Sequence, residues 1–110
     1  MAGSNLYSGT LDLLVLRSLS WGPLHGYGIG QWIRRSSEDG LKVEEGALYP
    51  ALHRLEKKDL LESEWGMTEK KRQAKFYRLS EAGREYLIAE TSRWNAHASA
   101  VRAVLEASRG

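Results

Sequence analysis

Five basic side chains lie close together in one short stretch, and the chemistry they offer is the binding of a polyanion. Residues 61–80 hold Lys70, Lys71, Arg72, Lys75 and Arg78 against three acids, so 5 − 3 = +2, the whole formal net charge of the 110-residue chain. Clustered Lys and Arg side chains attract phosphate-bearing partners, and this stretch is therefore the strongest candidate for a nucleic-acid contact. A solvated hairpin tip would have the same charges, and charge alone leaves that alternative open.

The residue types that enzymes and metal sites use are absent or scattered. The chain has no cysteine, which excludes disulfides, thiolate zinc sites and cysteine nucleophiles and is typical of a cytoplasmic protein. His25, His53 and His97 are far apart, without ligand spacing. The glycine-rich residues 26–30 have the wrong spacing for a dinucleotide loop and follow no predicted strand. We therefore expect no catalysis, no metal and no cofactor, and we expect no membrane partner because no apolar run approaches about 20 residues.

Three helices are predicted before the basic stretch. Apolar residues recur at helical spacing from Thr10 to Leu19, and Ser8 or Thr10 can cap this helix. A second helix is predicted from Gly26 to Ser37. A third is predicted from about Glu44 to Lys58, although Pro50 lies inside it and removes one backbone hydrogen bond.

The basic stretch itself is predicted to form a hairpin, and a long helix is predicted after it. Residues 61–65 and 76–80 alternate as two strands would, and residues 66–74 form a projecting loop between them. From residue 84 to residue 109 there are 26 residues without Gly or Pro. Apolar residues form a seam along this helix that so small a domain cannot bury, and a second copy of the chain is the predicted partner. The predicted seam consists of Leu87, Trp94, Ala98, Val101, Val104 and Leu105.

The order of these elements predicts a mainly α fold with a small β-hairpin. It is the order α-α-α-β-β of a winged helix-turn-helix domain, here residues 1–83, followed by a long C-terminal dimerisation helix, residues 84–110. In that arrangement the third helix enters the major groove of double-stranded DNA and the hairpin, or wing, reaches along the backbone.

Four segments form a more specific pattern: LDLLVL (residues 11–16), GPLHGYGI (22–29), ALYPALHRLE (47–56) and KFYRLSEAG (75–83). Together they resemble the PadR family of bacterial transcriptional regulators over about residues 10–87. The resemblance implies a homodimeric winged-helix repressor that is released from its operator when a small molecule binds or the dimer rearranges. The chain departs from the family where Glu44 and Glu45 replace the usual small hydroxyl residue, and where the wing tip lacks glycines.

The candidate DNA contacts lie on the third helix and the wing. Tyr49, His53 and Arg54 can reach phosphates or base edges, and further phosphate contacts are predicted at Lys70, Lys71, Arg72, Lys75 and Arg34. Alternatives remain open at three of these residues. Tyr49 can be a packing residue, Arg54 can pair with Glu56, and Arg34 can simply end the second helix.

Trp94 is a candidate ligand contact in the middle of the predicted seam. Two indoles facing each other across a dimer could hold a small, flat aromatic effector, with Leu14 and Val15 of the first helix contributing to the pocket. Alternatively, Trp94 only packs the dimer. Two other functions compete with an operator-binding repressor: a winged-helix protein-interaction module, and a dimer that sequesters small molecules without reading DNA.

Overall fold

The computed structural model describes the backbone of residues 2–110 and the side chains of residues 9–110. The described elements follow one another as α1 (Ala2–Ser18), β1 (Leu24–His25), α2 (Gly26–Ser36), α3 (Glu45–Lys57), β2 (Leu61–Met67), β3 (Gln73–Leu79) and α4 (Glu81–Glu106). This confirms the predicted class, a mainly α winged helix-turn-helix with a long final helix. No helix in the described part of the chain has the length and apolarity needed to cross a bilayer.

The predicted start of α1 was wrong. The helix begins at Ala2 instead of Thr10, so neither Ser8 nor Thr10 is its N-cap. The prediction relied on the apolar spacing, which begins only at Leu11.

The sheet has one more strand than predicted. The short β1 pairs antiparallel with β3, Leu24 opposite Tyr77 and His25 opposite Phe76, and gives the order β1-β3-β2. The hairpin is also longer than predicted, because β2 and β3 stay in register as far as Met67 opposite Gln73. Its loop is therefore residues 68–72 instead of 66–74; we call these five residues the wing loop.

The core lies where α1, α2, α3 and the inner ends of the wing strands meet. Leu48, Leu52 and Leu55 recur at helical spacing on α3 and are buried, and α3 continues through Pro50. Apolar side chains from every helix contribute to the core, among them Val15, Leu16, Leu19, Ile29, Ile33, Leu48, Leu52, Leu55, Leu61 and Leu87.

The start of α4 is fixed against the end of α3. Ser80 is its N-cap: the Ser80 Oγ accepts a hydrogen bond from the Gly83 N–H at 3.0 Å and donates one to the Asp59 carbonyl at 2.7 Å. A Cβ atom at Gly83 would lie 2.1 Å from the Leu60 carbonyl oxygen. Only glycine therefore lets α4 approach the backbone this closely, and this contact sets the direction in which α4 leaves the domain.

Candidate nucleic-acid interface

The outer side of α3 presents Tyr49 and His53. Both are exposed, while Leu48, Leu52 and Leu55 occupy the opposite, buried side. The Tyr49 ring rests on the backbone of Gly26 at the start of α2, where an added Cβ would come within 2.8 Å of the Tyr49 Oη. Tyr49 therefore packs against Gly26 and is still accessible to a partner, since 47% of its surface is exposed.

Arg54 is joined to α1. Its Nη2 donates to the Asp12 Oδ1 at 2.7 Å, an ion pair between residues 42 positions apart. Glu56, the alternative partner suggested by the sequence, pairs with Lys75 instead of Arg54. The pair of Arg54 and Asp12 connects α3 to the first helix, and it occupies a guanidinium that was predicted to reach DNA.

Glu56 and Lys75 connect α3 to the wing. The Ser63 hydroxyl donates to the Glu56 Oε2 at 2.5 Å, and the Lys75 Nζ lies 3.3 Å from the Glu56 Oε1. The Ser63 hydrogen bond, with a smaller contribution from Lys75, holds the pKa of Glu56 below its usual value, although partial burial acts in the opposite direction. Lys75 also lies 5.7 Å from the centre of the Tyr77 ring. Its charge is therefore already compensated inside the protein.

The wing loop holds three exposed cations, Lys70, Lys71 and Arg72. The loop is closed by hydrogen bonds from the Thr68 N–H to the Arg72 carbonyl and from the Lys71 N–H to the Thr68 carbonyl, at 2.8 and 2.9 Å. None of the three side chains forms an ion pair with the side chains of residues 9–110. They present positive charge to the solvent.

Two other arginines near this surface are paired. Arg34 lies 2.8 Å from Asp39 just beyond the end of α2, and Arg78 pairs with Glu62 and Glu64 across the hairpin at 3.1 and 3.0 Å. The geometry at Arg34 is that of a residue that ends a helix.

The acidic residues Glu44 and Glu45 lie at the start of α3. Glu44 is the N-cap residue, but its side chain makes no capping hydrogen bond, and Glu45 is in the first turn. Both are exposed. Negative charge is favourable at a helix N-terminus, so the pair stabilises α3 while reducing the attraction of this end for phosphates.

The structure divides the predicted seam of α4. Leu87 is only 8% exposed and packs in the core of its own domain, so little of its surface remains for the predicted dimer seam. Beyond it, Trp94, Val101, Val104 and Leu105 are exposed. These residues form a continuous uncovered apolar strip in the described chain.

The surroundings of Trp94 differ from the predicted pocket. A groove of about 260 Å³ beside Trp94 is lined by Leu13 of α1 and by Glu90 and His97 of α4. Val15 has no exposed surface and lies in the core, so it is not available to a ligand there, and Leu14 does not line the groove. The residues of α1 that line the groove are Gly9, Thr10 and Leu13.

Two exposed aromatic residues near α3 were missed by the sequence reasoning. Tyr27, in the first turn of α2, and Trp65, on β2, are each 69% exposed. Tyr27 could have been noticed, since it lies off the buried Ile29 and Ile33 stripe. Trp65 could not, because strand alternation places it on the same side as buried Leu61.

Comparisons with known proteins agree with this geometry. Residues 15–89 match the model of the family described as the transcriptional regulator PadR-like family. An uncharacterised protein of Lysinibacillus sphaericus is 31% identical over 94 residues, which are 86% of each protein.

Solved structures match over nearly the whole chain. A transcriptional regulator from Clostridium thermocellum is 28% identical with a TM-score of 0.80, and the match covers 89% of this chain and 95% of that one. A PadR family transcriptional regulator from Eggerthella lenta is 32% identical with a TM-score of 0.76, and the match covers 97% and 91%. The exposed α3 side and the wing loop therefore belong to a fold that these regulators share.

Proposed function

The chain belongs to the PadR-like family of transcriptional regulators, and from this premise we propose that it is a homodimeric repressor that binds an inverted-repeat operator in double-stranded DNA. Members of this family are DNA-binding regulators and not, in general, enzymes. The observation that supports the proposal most is the wing loop. Its three cations are exposed and have no ion-pair partner among residues 9–110.

The ion pairs of the charged residues indicate which side chains contact DNA and which hold the elements in place. Tyr49 and His53 contact phosphates or base edges from α3, and Lys70, Lys71 and Arg72 contact phosphates from the wing loop. Arg54 acts as a positioning residue: its ion pair with Asp12 sets the angle between α3 and α1. Lys75 holds the wing against α3 through Glu56. Arg34 contributes only a weak phosphate contact, because Asp39 already neutralises it.

Dimerisation is proposed to use the exposed part of α4. The strip from Trp94 to Leu105 remains uncovered in a single chain, and burying it against a second copy removes apolar surface from water. The chain then divides into a DNA-binding part, residues 1–83, and a dimerisation helix, residues 84–110. Two wings and two α3 helices related by a two-fold axis would read an inverted repeat.

We place the proposed effector site at the Trp94 groove. A planar aromatic compound can stack on the indole, and Leu13 brings α1 to the same groove. The next residue, Asp12, pairs with Arg54 of α3. A shift of α1 caused by ligand at Trp94 would therefore change the position of α3, which is the proposed route to release. The probe is 1-naphthol, and its effect on DNA binding should disappear in Trp94→Leu.

The DNA-binding proposal is tested with a duplex chosen from a random-sequence library by repeated selection on the full chain. Fluorescence anisotropy should show tight binding to the selected duplex and at least tenfold weaker binding to a scrambled one. Lys71→Ala combined with Arg72→Ala should weaken both. The matched control is Arg78→Ala on the same hairpin, whose charge is already paired. Failure to enrich any sequence, with equal binding by all variants, would favour a protein-interaction or sequestering role.

A further inference from the structure

A groove lies between α2, α3 and the wing. Of the residues that line it, only Tyr49 is among the DNA contacts proposed above. The groove measures about 410 Å³, and half of its lining residues carry aromatic rings: His25, Tyr27, Tyr49, Trp65 and Tyr77. Tyr27 and Tyr49 line one side, Trp65 of β2 lines the other, and Lys75 and Tyr77 of β3 lie between them. The wing loop reaches this groove through Thr68.

Trp65 projects from the part of the wing that extends past the core. Along the side of β2 that faces α3, Leu61 is buried, Ser63 is half-buried and bonded to Glu56, and Trp65 is exposed. The indole is thus on the α3 side of the wing with 69% of its surface open to water. A large rigid aromatic surface in this position is typical of a binding contact, because Trp supplies apolar area at a low cost in side-chain entropy.

The two tyrosines opposite Trp65 are held in place by neighbours. The Gln31 amide donates to the Tyr27 Oη at 2.6 Å, which leaves the hydroxyl proton of Tyr27 free to donate to an acceptor. Tyr49 is held by the backbone of Gly26. Both side chains therefore need little further ordering when a ligand binds.

The charges around the groove indicate how a nucleic-acid strand would lie. Lys75 inside the groove is already neutralised by Glu56, 3.3 Å away. The cations of the adjacent wing loop form no ion pair with the side chains of residues 9–110. A strand would therefore turn its phosphates toward the wing loop and the tyrosine hydroxyls, and its apolar sugar edge toward the indole.

We propose that this groove binds the backbone of one DNA strand, with Trp65 packed on a deoxyribose and Tyr27 donating to a neighbouring phosphate. The inference depends on the proposed operator binding and adds two contacts to it. Trp65 supplies affinity that does not depend on salt, because its contact is apolar, whereas the wing-loop cations supply the part that does.

The test compares two tryptophans of similar exposure. Trp65→Ala should weaken binding to the selected duplex about tenfold, with the slope of log affinity against log salt unchanged. Trp21→Ala is the control, because Trp21 is 66% exposed but packs outside the groove, in a tilted arrangement against Trp32 with the ring centres 5.5 Å apart. Tyr27→Phe removes only a hydroxyl, keeps the ring, and should weaken binding about threefold. Circular dichroism confirms that each variant is folded.

The outcomes separate this inference from the proposed function. If Trp65→Ala and Tyr27→Phe both bind with wild-type affinity while Lys71→Ala with Arg72→Ala still weakens binding, the proposed strand contact in the groove is wrong. Operator binding itself is then unaffected. Equal loss in Trp65→Ala and Trp21→Ala also overturns the strand contact, since the loss then reflects stability. If the wild-type chain binds no duplex in preference to another, both ideas fall together.

Discussion

Exchanging the charges of Asp12 and Arg54 distinguishes a positioning role for Arg54 from a phosphate contact. The variants are Asp12→Arg, Arg54→Asp and the two combined. If the ion pair only fixes α3 against α1, the reversed pair restores it. If the guanidinium touches DNA, the combined variant places a carboxylate against a phosphate.

The structure gives the cost of losing either partner, which is the minimum effect of each single reversal. The Asp12 side chain is 19% exposed and the Arg54 side chain 45%. Loss of Arg54 therefore leaves a largely buried carboxylate without its ion-pair partner and lowers the free energy of unfolding by about 1–2 kcal/mol. Loss of the Asp12 charge leaves a guanidinium that water can reach, and costs about 0.5 kcal/mol. For a chain of this length each kcal/mol lowers Tm by about 4 °C.

The assay combines thermal melting at fixed protein concentration with anisotropy on the selected duplex. Each single reversal should lower Tm and DNA affinity, and the combined variant should recover both, with affinity within about threefold of wild type. A combined variant that recovers its Tm but binds DNA as weakly as Arg54→Asp would rule out a purely positioning role. Arg54 would then be a phosphate contact.

Three other substitutions test separate parts of the structure. Glu56→Gln should lower the free energy of unfolding by about 1 kcal/mol at pH 7. Because the pKa of Glu56 in the folded chain lies below the reference 4.5, this difference in stability between wild type and variant persists above pH 4.5 and disappears as the pH falls through the folded pKa. Melting curves at several pH values measure it. Gly83→Ala should destabilise the fold by about 3 kcal/mol in urea unfolding, because its Cβ meets the Leu60 carbonyl; Gly9→Ala, with nothing within 4 Å, should not destabilise it. Val101→Asp with Leu105→Asp should convert a dimer of 12.4 kDa chains into a monomer in sedimentation, and Ala103→Asp, on the opposite side of α4, should not.

The helices of the DNA-binding part were predictable because their apolar residues have a clear period. Leu48, Leu52 and Leu55 recur at helical spacing, and the structure buries all three. The same reasoning did not show that Leu87 is buried in its own domain. It lies seven residues before Trp94 and continues the seam in sequence, but the first turns of α4 lie over the core, and Leu87 faces inward.

Short and long-range features could not be read from the sequence. β1 has two residues, too few to show alternation, and its pairing with β3 joins segments about 50 residues apart. The partner of Arg54 is on α1, 42 positions away, and no local rule selects it. The exposure of Trp65 depends on where the core ends beneath the wing, and only the packed structure determines that.

Binding of DNA phosphates by the wing loop is tested most directly by the salt dependence of affinity. The duplex selected on the wild-type chain is titrated at several salt concentrations with wild type and with Lys71→Ala combined with Arg72→Ala. Each lost phosphate contact lowers the slope of log affinity against log salt by about one unit, and a dimer would lose four. We predict that the slope of the double variant is shallower, with a magnitude about four units smaller than that of wild type. An unchanged slope would contradict the account.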